Sequence, residues 1–274
     1  MSEKQAYEFP DFGEQAKADW NDLADWWDDQ IGDGNSFQDF LIEPATERLL
    51  GLQPGQHVLD IACGAGRFTR RMASFGATIL AVDQAERFLE RARKRTVEHC
   101  DRIEYRFCDA TDTSALLSLG EGAFDAIVCT MALMDMPVIE PFISSVPKLL
   151  KRQGCFVFSV THPAFNSGNS RMFIERFEQD GHIVVKSGVV VTDYAKPFHC
   201  KGVGIPGQPK TQHLFHRPWS VIFNLCFKHG LVLDGVEEPT MPPGTEPRSN
   251  LPVSWGALPS IPPVLVARMR LGQT

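Results

Sequence analysis

Short apolar runs alternate with segments of helical periodicity through the middle of the chain. Runs of this length between turn residues predict strands, and apolar positions three or four residues apart predict helices. The strands are expected near 57–61, 78–82, 103–108, 124–130 and 155–161. The helices are expected near 66–75, 84–98 and 138–152. Since strands that alternate with helices form parallel sheets with right-handed crossovers, the pattern predicts an α/β fold.

Aromatic residues crowd the region before this alternating core. Its apolar spacing predicts two helices, at 14–31 and about 37–50. Trp20 and Trp27 follow the apolar stripe of the first helix and are expected in the core. Trp26 and Phe37 are the better candidates to close over a bound ligand. The region therefore predicts a helical arm that packs against the core.

The most distinctive stretch is VLDIACGAGRF at 58–68, between the first predicted strand and the first helix of the core. Its apolar run ends at Asp60, and Gly64 and Gly66 follow one residue apart. Glycines let the backbone approach a ligand closely, and a helix N-terminus favours an anionic group. The next apolar run ends at Asp83, which comes 17 residues after Gly66, near the spacing at which an acid binds ribose hydroxyls. Together these features predict an adenosine-containing cofactor.

The details of the glycine turn separate two cofactor classes. A dinucleotide fingerprint needs a third glycine three residues after the second, where this chain has Thr69. A pyrophosphate gains nothing from an acid such as Asp60 beside the turn, whereas a cofactor with an ammonium group does. A nicotinamide dehydrogenase is therefore disfavoured.

The segment from Asp60 to Gly66, with Asp83 downstream, resembles the first two cofactor motifs of class I S-adenosylmethionine (SAM) methyltransferases. The resemblance covers about residues 46–161 and continues in order through Phe107–Ala110, Phe124–Thr130 and Lys148–Gly154. It implies a three-layer Rossmann-like sandwich around a seven-stranded, mostly parallel sheet with an antiparallel last strand. It also implies S-adenosyl-L-methionine as cofactor and S-adenosyl-L-homocysteine as product.

The pattern changes after the fifth strand. Residues 163–212 are rich in Gly, Pro, Asn and Ser and hold two β-like runs, at 173–177 and 183–191. A helix at 218–230 and strands at 231–236 and 264–269 then complete the implied sheet. The expected division is a helical arm or lid at 1–50, a SAM-binding domain at 51–162 and 213–274, and a β-rich substrate cap at 163–212.

The resemblance assigns cofactor roles to residues at the strand ends. The two glycines approach the methionine and ribose portions, and Asp60 orients the turn or meets the cofactor ammonium. Asp83 accepts from the ribose hydroxyls or caps the next helix, and Asp109 meets the adenine amino group or shapes its own turn. The predicted cofactor contacts are Asp60, Ala62, Gly64, Gly66, Asp83, Gln84, Asp109, Ala110, Thr130 and Met131.

Four further residues are candidates for the substrate side. His162 follows the fifth strand directly, so it is either a general base, with a side chain that titrates near neutrality, or a structural residue of the loop. Asp135 follows the fourth strand and either binds substrate or caps the next helix. His213 and His216 lie where the cap rejoins the core and are expected to bind substrate. His199 and Cys200 with these histidines match no zinc spacing, so no metal is expected.

Composition and charge narrow the function further. The formal net charge is −7, which disfavours a nucleic acid partner because such proteins usually carry a basic patch. The arginines on the predicted helices are expected to form solvated faces. Seven cysteines without a CxxC pair, no secretory signal and no membrane-length apolar stretch favour a reduced, cytoplasmic protein. Oligomeric state is left open.

These observations predict a SAM-dependent methyltransferase that acts on a small molecule of apolar or aromatic character. Oxygen is the preferred acceptor atom because His162 is available as a base. The alternatives are an RNA or protein methyltransferase and a SAM-binding protein that transfers no methyl group. An open path from the cofactor to the cap separates the last alternative from the enzymes.

Overall fold

The structure is a computed structural model that describes residues 7–32, 34–242, 245 and 254–272. The helices are α1 (Gly13–Ile31), α2 (Glu43–Leu50), α3 (Arg67–Ser74), α4 (Glu86–Arg95), α5 (Thr113–Leu117), α6 (Glu140–Leu149) and α7 (Trp219–Lys228). The strands are β1 (His57–Ile61), β2 (Thr78–Asp83), β3 (Ile103–Phe107), β4 (Phe124–Thr130), β5 (Leu150–Thr161), β6 (Arg171–Gln179), β7 (His182–Val190), β8 (Phe198–Gly202), β9 (Gln212–His216), β10 (Leu231–Glu237) and β11 (Val264–Leu271).

Seven strands form one mixed sheet in the order β10-β11-β5-β4-β1-β2-β3. Only β11 runs antiparallel to its neighbours, β5 and β10. Successive residues of β1 point to opposite faces, so Leu59 and Ile61 lie in one buried cluster and Val58 lies in the other. Helices cover both faces, and the predicted three-layer Rossmann-like fold with an antiparallel last strand is confirmed.

Two short elements of the core depart from the sequence-based expectation. The helix expected over 138–152 ends at Leu149, because Leu150 already pairs with Phe124 as the first residue of β5. The register shifts after this pair, and Cys155 pairs with Ala126. Strand pairing therefore overrides the helical composition of 150–152.

Helix α5 was not expected, since five residues are too few to show periodicity. It begins with a side-chain cap: Asp112 Oδ1 accepts from the backbone N–H groups of Ser114, at 2.8 Å, and Ala115, at 3.2 Å.

The N-terminal arm packs closely on the core. Trp20 and Trp27 of α1 pack against a buried cluster of Ala24, Ala85 and Phe88, which Ala65 of the glycine turn also contacts. Phe37 is partly buried against the cluster that contains Val58 and Met72, and its position over a ligand stays a prediction.

Ion pairs hold the arm against the basic helices. Arg95 Nε lies 2.5 Å from Oδ1 of the buried Asp28, and Arg91 contacts the same carboxylate. Arg67 Nε lies 2.7 Å from Oε1 of the buried Glu43. These arginines therefore face acids of the arm instead of forming wholly solvated surfaces.

Two hairpins occupy the region between β5 and α7. β6 pairs with β7, and β8 pairs with β9, which begins at Gln212. The second hairpin packs against α1. The sequence pattern missed β8 and β9, whose five residues each include polar side chains. No helix within the described ranges combines the length and apolar character of a membrane span.

Candidate active site

The glycine turn between β1 and α3 is built from left-handed backbone. Ala62 has φ 55°, Gly64 has φ 55° and Gly66 has φ 72°. Left-handed backbone costs a residue with a Cβ about 1–2 kcal/mol, so Ala62 marks stored strain. Three such residues within five turn the chain sharply at the carboxyl edge of the sheet.

Gly66 is required by a close neighbour. A Cβ added there would lie 2.3 Å from the hydroxyl oxygen of Tyr105. That hydroxyl lies 2.9 Å from Thr96 Oγ1, and the hydrogen bond holds it in place. Gly64 differs, because an added Cβ would meet only Phe88, at 4.0 Å. The backbone at Gly64 therefore borders open space in which a ligand can approach.

Substitution of Gly66 by alanine is expected to lower the free energy of unfolding by about 2–4 kcal/mol, from strained backbone and steric overlap together. Gly181 is a matched control, since it has φ 79° with nothing within 4 Å of an added Cβ. Gly181→Ala is expected to lower the free energy of unfolding only by the cost of left-handed backbone, without a contribution from steric overlap. Denaturant unfolding of both variants measures the difference, and equal losses would contradict the role of Tyr105.

Asp83 links the glycine turn to α4. Its Oδ2 accepts from the backbone N–H of Gly64 at 2.9 Å, and its Oδ1 accepts from that of Ala85 at 2.8 Å. Burial raises the pKa of this carboxyl to about 6, against the opposing effect of the backbone donors. The alternative helix-capping role of Asp83 is wrong, because Ala85 is the N-cap residue of α4 and no side chain of the described residues caps that helix. The ribose role stays a prediction.

Asp60 lies beneath the glycine turn and is 1% exposed. Its Oδ2 accepts from Thr69 Oγ1 at 2.5 Å. Its Oδ1 is buried and has no hydrogen-bond partner within the described part of the chain. Burial raises the pKa of Asp60 to about 7, and the neighbouring Asp83 adds to the rise. Asp60 is thus a buried hydrogen-bond acceptor, and a cationic ligand group could supply the partner that its Oδ1 lacks within the described part of the chain.

The remaining edge residues lie at the ends of β3 and β4. Asp109 Oδ1 accepts from Thr111, from its backbone N–H at 2.8 Å and from its hydroxyl at 2.7 Å, so Asp109 does shape its own turn. Met131 has φ 54°, and its N–H donates to the carbonyl oxygen of Ser159 at 2.9 Å. Gln84, Ala110 and Thr130 are partly exposed next to these residues.

Asp135 lies in the loop between β4 and α6 and is 8% exposed. Its Oδ1 accepts from Gln212 Nε2 at 3.2 Å, and burial raises its pKa well above the ordinary range. The predicted role of Asp135 as a helix cap is wrong. Glu8 takes that place, since its carboxylate accepts from the backbone N–H groups of Ile139, at 3.0 Å, and Glu140, at 2.9 Å.

His162 is 1% exposed, and both of its ring nitrogens are engaged. Nδ1 accepts from the backbone N–H groups of Ala164 and Phe165, at 3.2 Å each. Nε2 therefore carries the proton and donates to Glu238 Oε1 at 3.0 Å. Burial lowers the pKa of His162, which keeps the ring neutral.

Residues 58–154 match the family model described as a methyltransferase domain. This stretch starts inside β1 and ends inside β5, so it contains the glycine turn, Asp60, Asp83 and the other edge residues. This match covers the glycine turn and the first four strands of the sheet, and it supports the resemblance to class I SAM-dependent methyltransferases over that part of the chain.

Relatives with assigned names extend the comparison. The chain is 30% identical over 137 residues to a ubiquinone biosynthesis O-methyltransferase of Xanthomonas campestris, a match that covers 49% of this chain and 55% of that protein. It is 29% identical over 154 residues to the protein of the same name from Coxiella burnetii, covering 55% and 63%. The chain therefore spans little more than half the length of these relatives.

A solved structure shows the same fold over more of the chain. A SAM-dependent methyltransferase from Mesorhizobium loti superposes with a TM-score of 0.62 at 21% identity. The superposition covers 87% of this chain and 99% of that one.

The two histidines predicted to bind substrate do not converge. His216 Nε2 bonds the carbonyl oxygen of Tyr194 at 2.8 Å. His213 faces the arm instead: its Nδ1 lies 2.5 Å from His199 Nε2, and its Nε2 lies 3.7 Å from Asp19 Oδ2. Burial lowers the pKa of both His199 and His213, so the pair is neutral and shares one N–H. No group of three or more His, Cys, Asp or Glu side chains suited to a metal occurs in the described ranges.

Sequence reasoning missed Arg217, which organises this side of the protein. Arg217 is 3% exposed and joins the arm, the loop after β4 and the start of α7. Its guanidinium donates to the backbone carbonyl oxygens of Tyr7, Leu133, Met136 and Pro137. In the sequence, Arg217 is marked only by its position next to the candidate His216. It was missed because its hydrogen-bond partners come from segments far away along the chain.

Proposed function

We propose that this protein binds SAM at the glycine turn and transfers its methyl group to a small-molecule acceptor, at oxygen. The observation that supports this most directly is Asp60, whose buried Oδ1 is unpartnered within the described residues. A free carboxylate oxygen beneath a glycine turn fits an ammonium group, and a pyrophosphate would be repelled there. The fit favours SAM over a dinucleotide.

The residues around the turn suit the rest of the cofactor. The open space at Gly64 admits the methionine portion, and Asp83 retains lone pairs for the ribose hydroxyls beyond the two it uses. In this proposal Asp109 and Ala110 contact the adenine, and Thr130 and Met131 border the methionine end of the cofactor. When bound, SAM supplies an electrophilic methyl carbon on its sulfonium. The chain then has to align the acceptor and exclude water.

The proposed acceptor chemistry rests on Asp135 and on the named relatives. Asp135 is buried with one amide partner, and burial raises its pKa, which favours the protonated carboxyl, a group that can hydrogen-bond to an acceptor hydroxyl. The O-methyltransferase names of the Xanthomonas and Coxiella relatives support oxygen, over the part of the chain that they share. We propose that residues 163–212 cap this acceptor, with α1 closing the opposite side.

Calorimetric titration of the purified protein with SAM and with S-adenosyl-L-homocysteine tests the cofactor. Saturable binding is expected for both, and Asp83→Ala and Asp83→Asn are expected to weaken it strongly. Asp234→Ala is the control, since Asp234 pairs with Arg268 and Arg270 on β10, an outer strand of the sheet. A folded wild-type protein that binds neither compound would remove the basis of the proposal.

A screen with methyl-labelled SAM then tests the acceptor. Incorporation into small phenols and other hydroxyl compounds is expected. Incorporation only into RNA or protein would replace the small-molecule assignment, and cofactor binding without any transfer would favour a SAM-binding protein.

The role of His162 is decided by His162→Asn. The asparagine Oδ1 can accept from the turn N–H groups in place of Nδ1, but it cannot act as a base. Since both ring nitrogens are engaged, we expect kcat within about tenfold of wild type and an unchanged pH profile, whereas loss of a general base costs about 10²–10⁴-fold. A larger loss of kcat with a lost pKa in the profile would identify His162 as the base.

A further inference from the structure

The β6–β7 hairpin extends away from the methyltransferase core. Its two strands pair from Arg171 with Val190 to Gln179 with His182 and join no other sheet in the described residues. Near its base, Ser187 Oγ donates to the carbonyl oxygen of Ala257 at 3.1 Å. A two-stranded hairpin is marginally stable by itself, so one with apolar surface gains from a partner.

The two faces of the hairpin are not equivalent. On one face the Phe173 ring lies over Gly188 and Lys186 lies over the Phe177 ring, so these rings are partly covered, and Phe173 is 37% exposed. On the other face, Ile183 is 57% exposed and Val185 is 61% exposed. We call the second face the ribbon face and define it by Arg176, Glu178, Ile183 and Val185.

Charge and register make the ribbon face complementary to itself. Arg176 pairs with Val185 across the hairpin, and Glu178 pairs with Ile183. A two-fold axis that lies between two stacked ribbons, perpendicular to the strands and level with Phe177, would place Arg176 of one copy over Glu178 of the other. The same axis places Ile183 over Val185 at both ends of the contact. Opposite charges and aliphatic side chains therefore meet in a single arrangement.

We propose that the ribbon face is the contact through which two copies of this chain form a symmetric dimer. A second copy fits better than an unrelated partner, because a two-fold contact needs both charge signs on one patch, two residues apart, as they are here. Four side chains a copy give a contact well below the roughly 1,200 Å² typical of stable complexes, so the dimer is weak and concentration-dependent. The inference is independent of the proposed cofactor and activity.

Charge reversal tests the arrangement without disturbing the core. Sedimentation velocity over a wide concentration series is expected to show a reversible monomer–dimer equilibrium for the wild type. Arg176→Glu and Glu178→Arg each place like charges together at both ends, so each variant is expected to remain monomeric. An equimolar mixture of the two variants brings opposite charges together again and is expected to form a heterodimer.

Glu175→Arg is the matched control. Glu175 is exposed on the other face of the hairpin, where it pairs with Lys186 across the two strands. It is expected to dimerise like the wild type. A wild type that stays monomeric throughout, single variants that still dimerise, or a mixture that fails to associate would each overturn the proposal.

Discussion

Arg217→Met is expected to unfold the protein at markedly lower denaturant concentration than any surface substitution. The guanidinium donates to four backbone carbonyl oxygens and lies 3.4 Å from Glu8 Oε2. Methionine preserves part of the volume but none of the donors. Breaking a buried ion pair by removing one partner costs about 3–5 kcal/mol, because the remaining polar groups stay buried.

The loss is expected to spread beyond the guanidinium itself. Glu8 caps α6, so a carboxylate without its cation weakens the start of that helix. Burial raises the pKa of Glu8 against the lowering effect of Arg217, and without Arg217 the rise should be larger. Ionisation of Glu8 would then oppose folding more strongly in the variant than in the wild type, so the variant is expected to lose additional stability as pH rises and this carboxyl ionises.

Denaturant unfolding measures this effect directly. Arg270→Met is the control, since Arg270 is 39% exposed and pairs with Asp234, and such pairs contribute about 0–1 kcal/mol. Arg217→Lys is expected to lie between the two, because it keeps the charge but loses the planar fork of donors. Equal unfolding midpoints for Arg217→Met and Arg270→Met would contradict the anchoring role.

The core of the fold was predictable because its information is local. A parallel strand covered on both faces must be apolar almost throughout, so β1, β2 and β4 appear in the sequence as continuous apolar runs. Acids that end such runs necessarily lie at the carboxyl edge of the sheet. The positions of Asp60 and Asp83 followed from this rule alone.

The parts that were missed depend on contacts between distant segments. Glu8 caps a helix 132 residues away, and no local spacing reveals that partner. Asp135 was assigned the cap because it stood close in sequence, but its carboxyl turns to Gln212 on β9. β8 and β9 pair only with each other, and their polar side chains obscured the alternation that identifies a strand.

The histidines show the same limit in the candidate site. Because His162 follows a strand directly, the sequence predicted that it lies at the mouth of the site. The sequence did not predict that two backbone N–H groups and Glu238 would engage both of its ring nitrogens. Likewise, His213 was expected near the substrate and meets His199 and Asp19 instead. The type of a residue and its place at a strand end predict that it lies near the site. Its hydrogen-bond partners, which the sequence does not reveal, decide what the side chain can do there.

Asp60→Asn is expected to change affinity and stability in opposite directions. The amide keeps the shape and can still accept from Thr69, but it carries no charge to meet a cofactor ammonium. Loss of one member of a buried charge pair costs about 2–5 kcal/mol, so SAM affinity is expected to fall at least about thirtyfold. The free protein is expected to gain stability above pH 7, because an unpartnered buried carboxylate is replaced by a neutral group.

The pH dependence separates this explanation from a steric one. The folded-state pKa of Asp60 is raised from 3.8 to about 7, so its ionisation opposes folding, and its destabilising effect grows as pH rises between those values. Binding of a cation requires the ionised form, so wild-type affinity is expected to rise with pH up to about 7 and then level off. The pKa of Asp83, raised to about 6, adds a second rise at lower pH. In Asp60→Asn only the second rise should remain, and calorimetric titration across this range detects the difference. A variant that loses affinity equally at every pH would show that Asp60 acts through the shape of the turn and not through its charge.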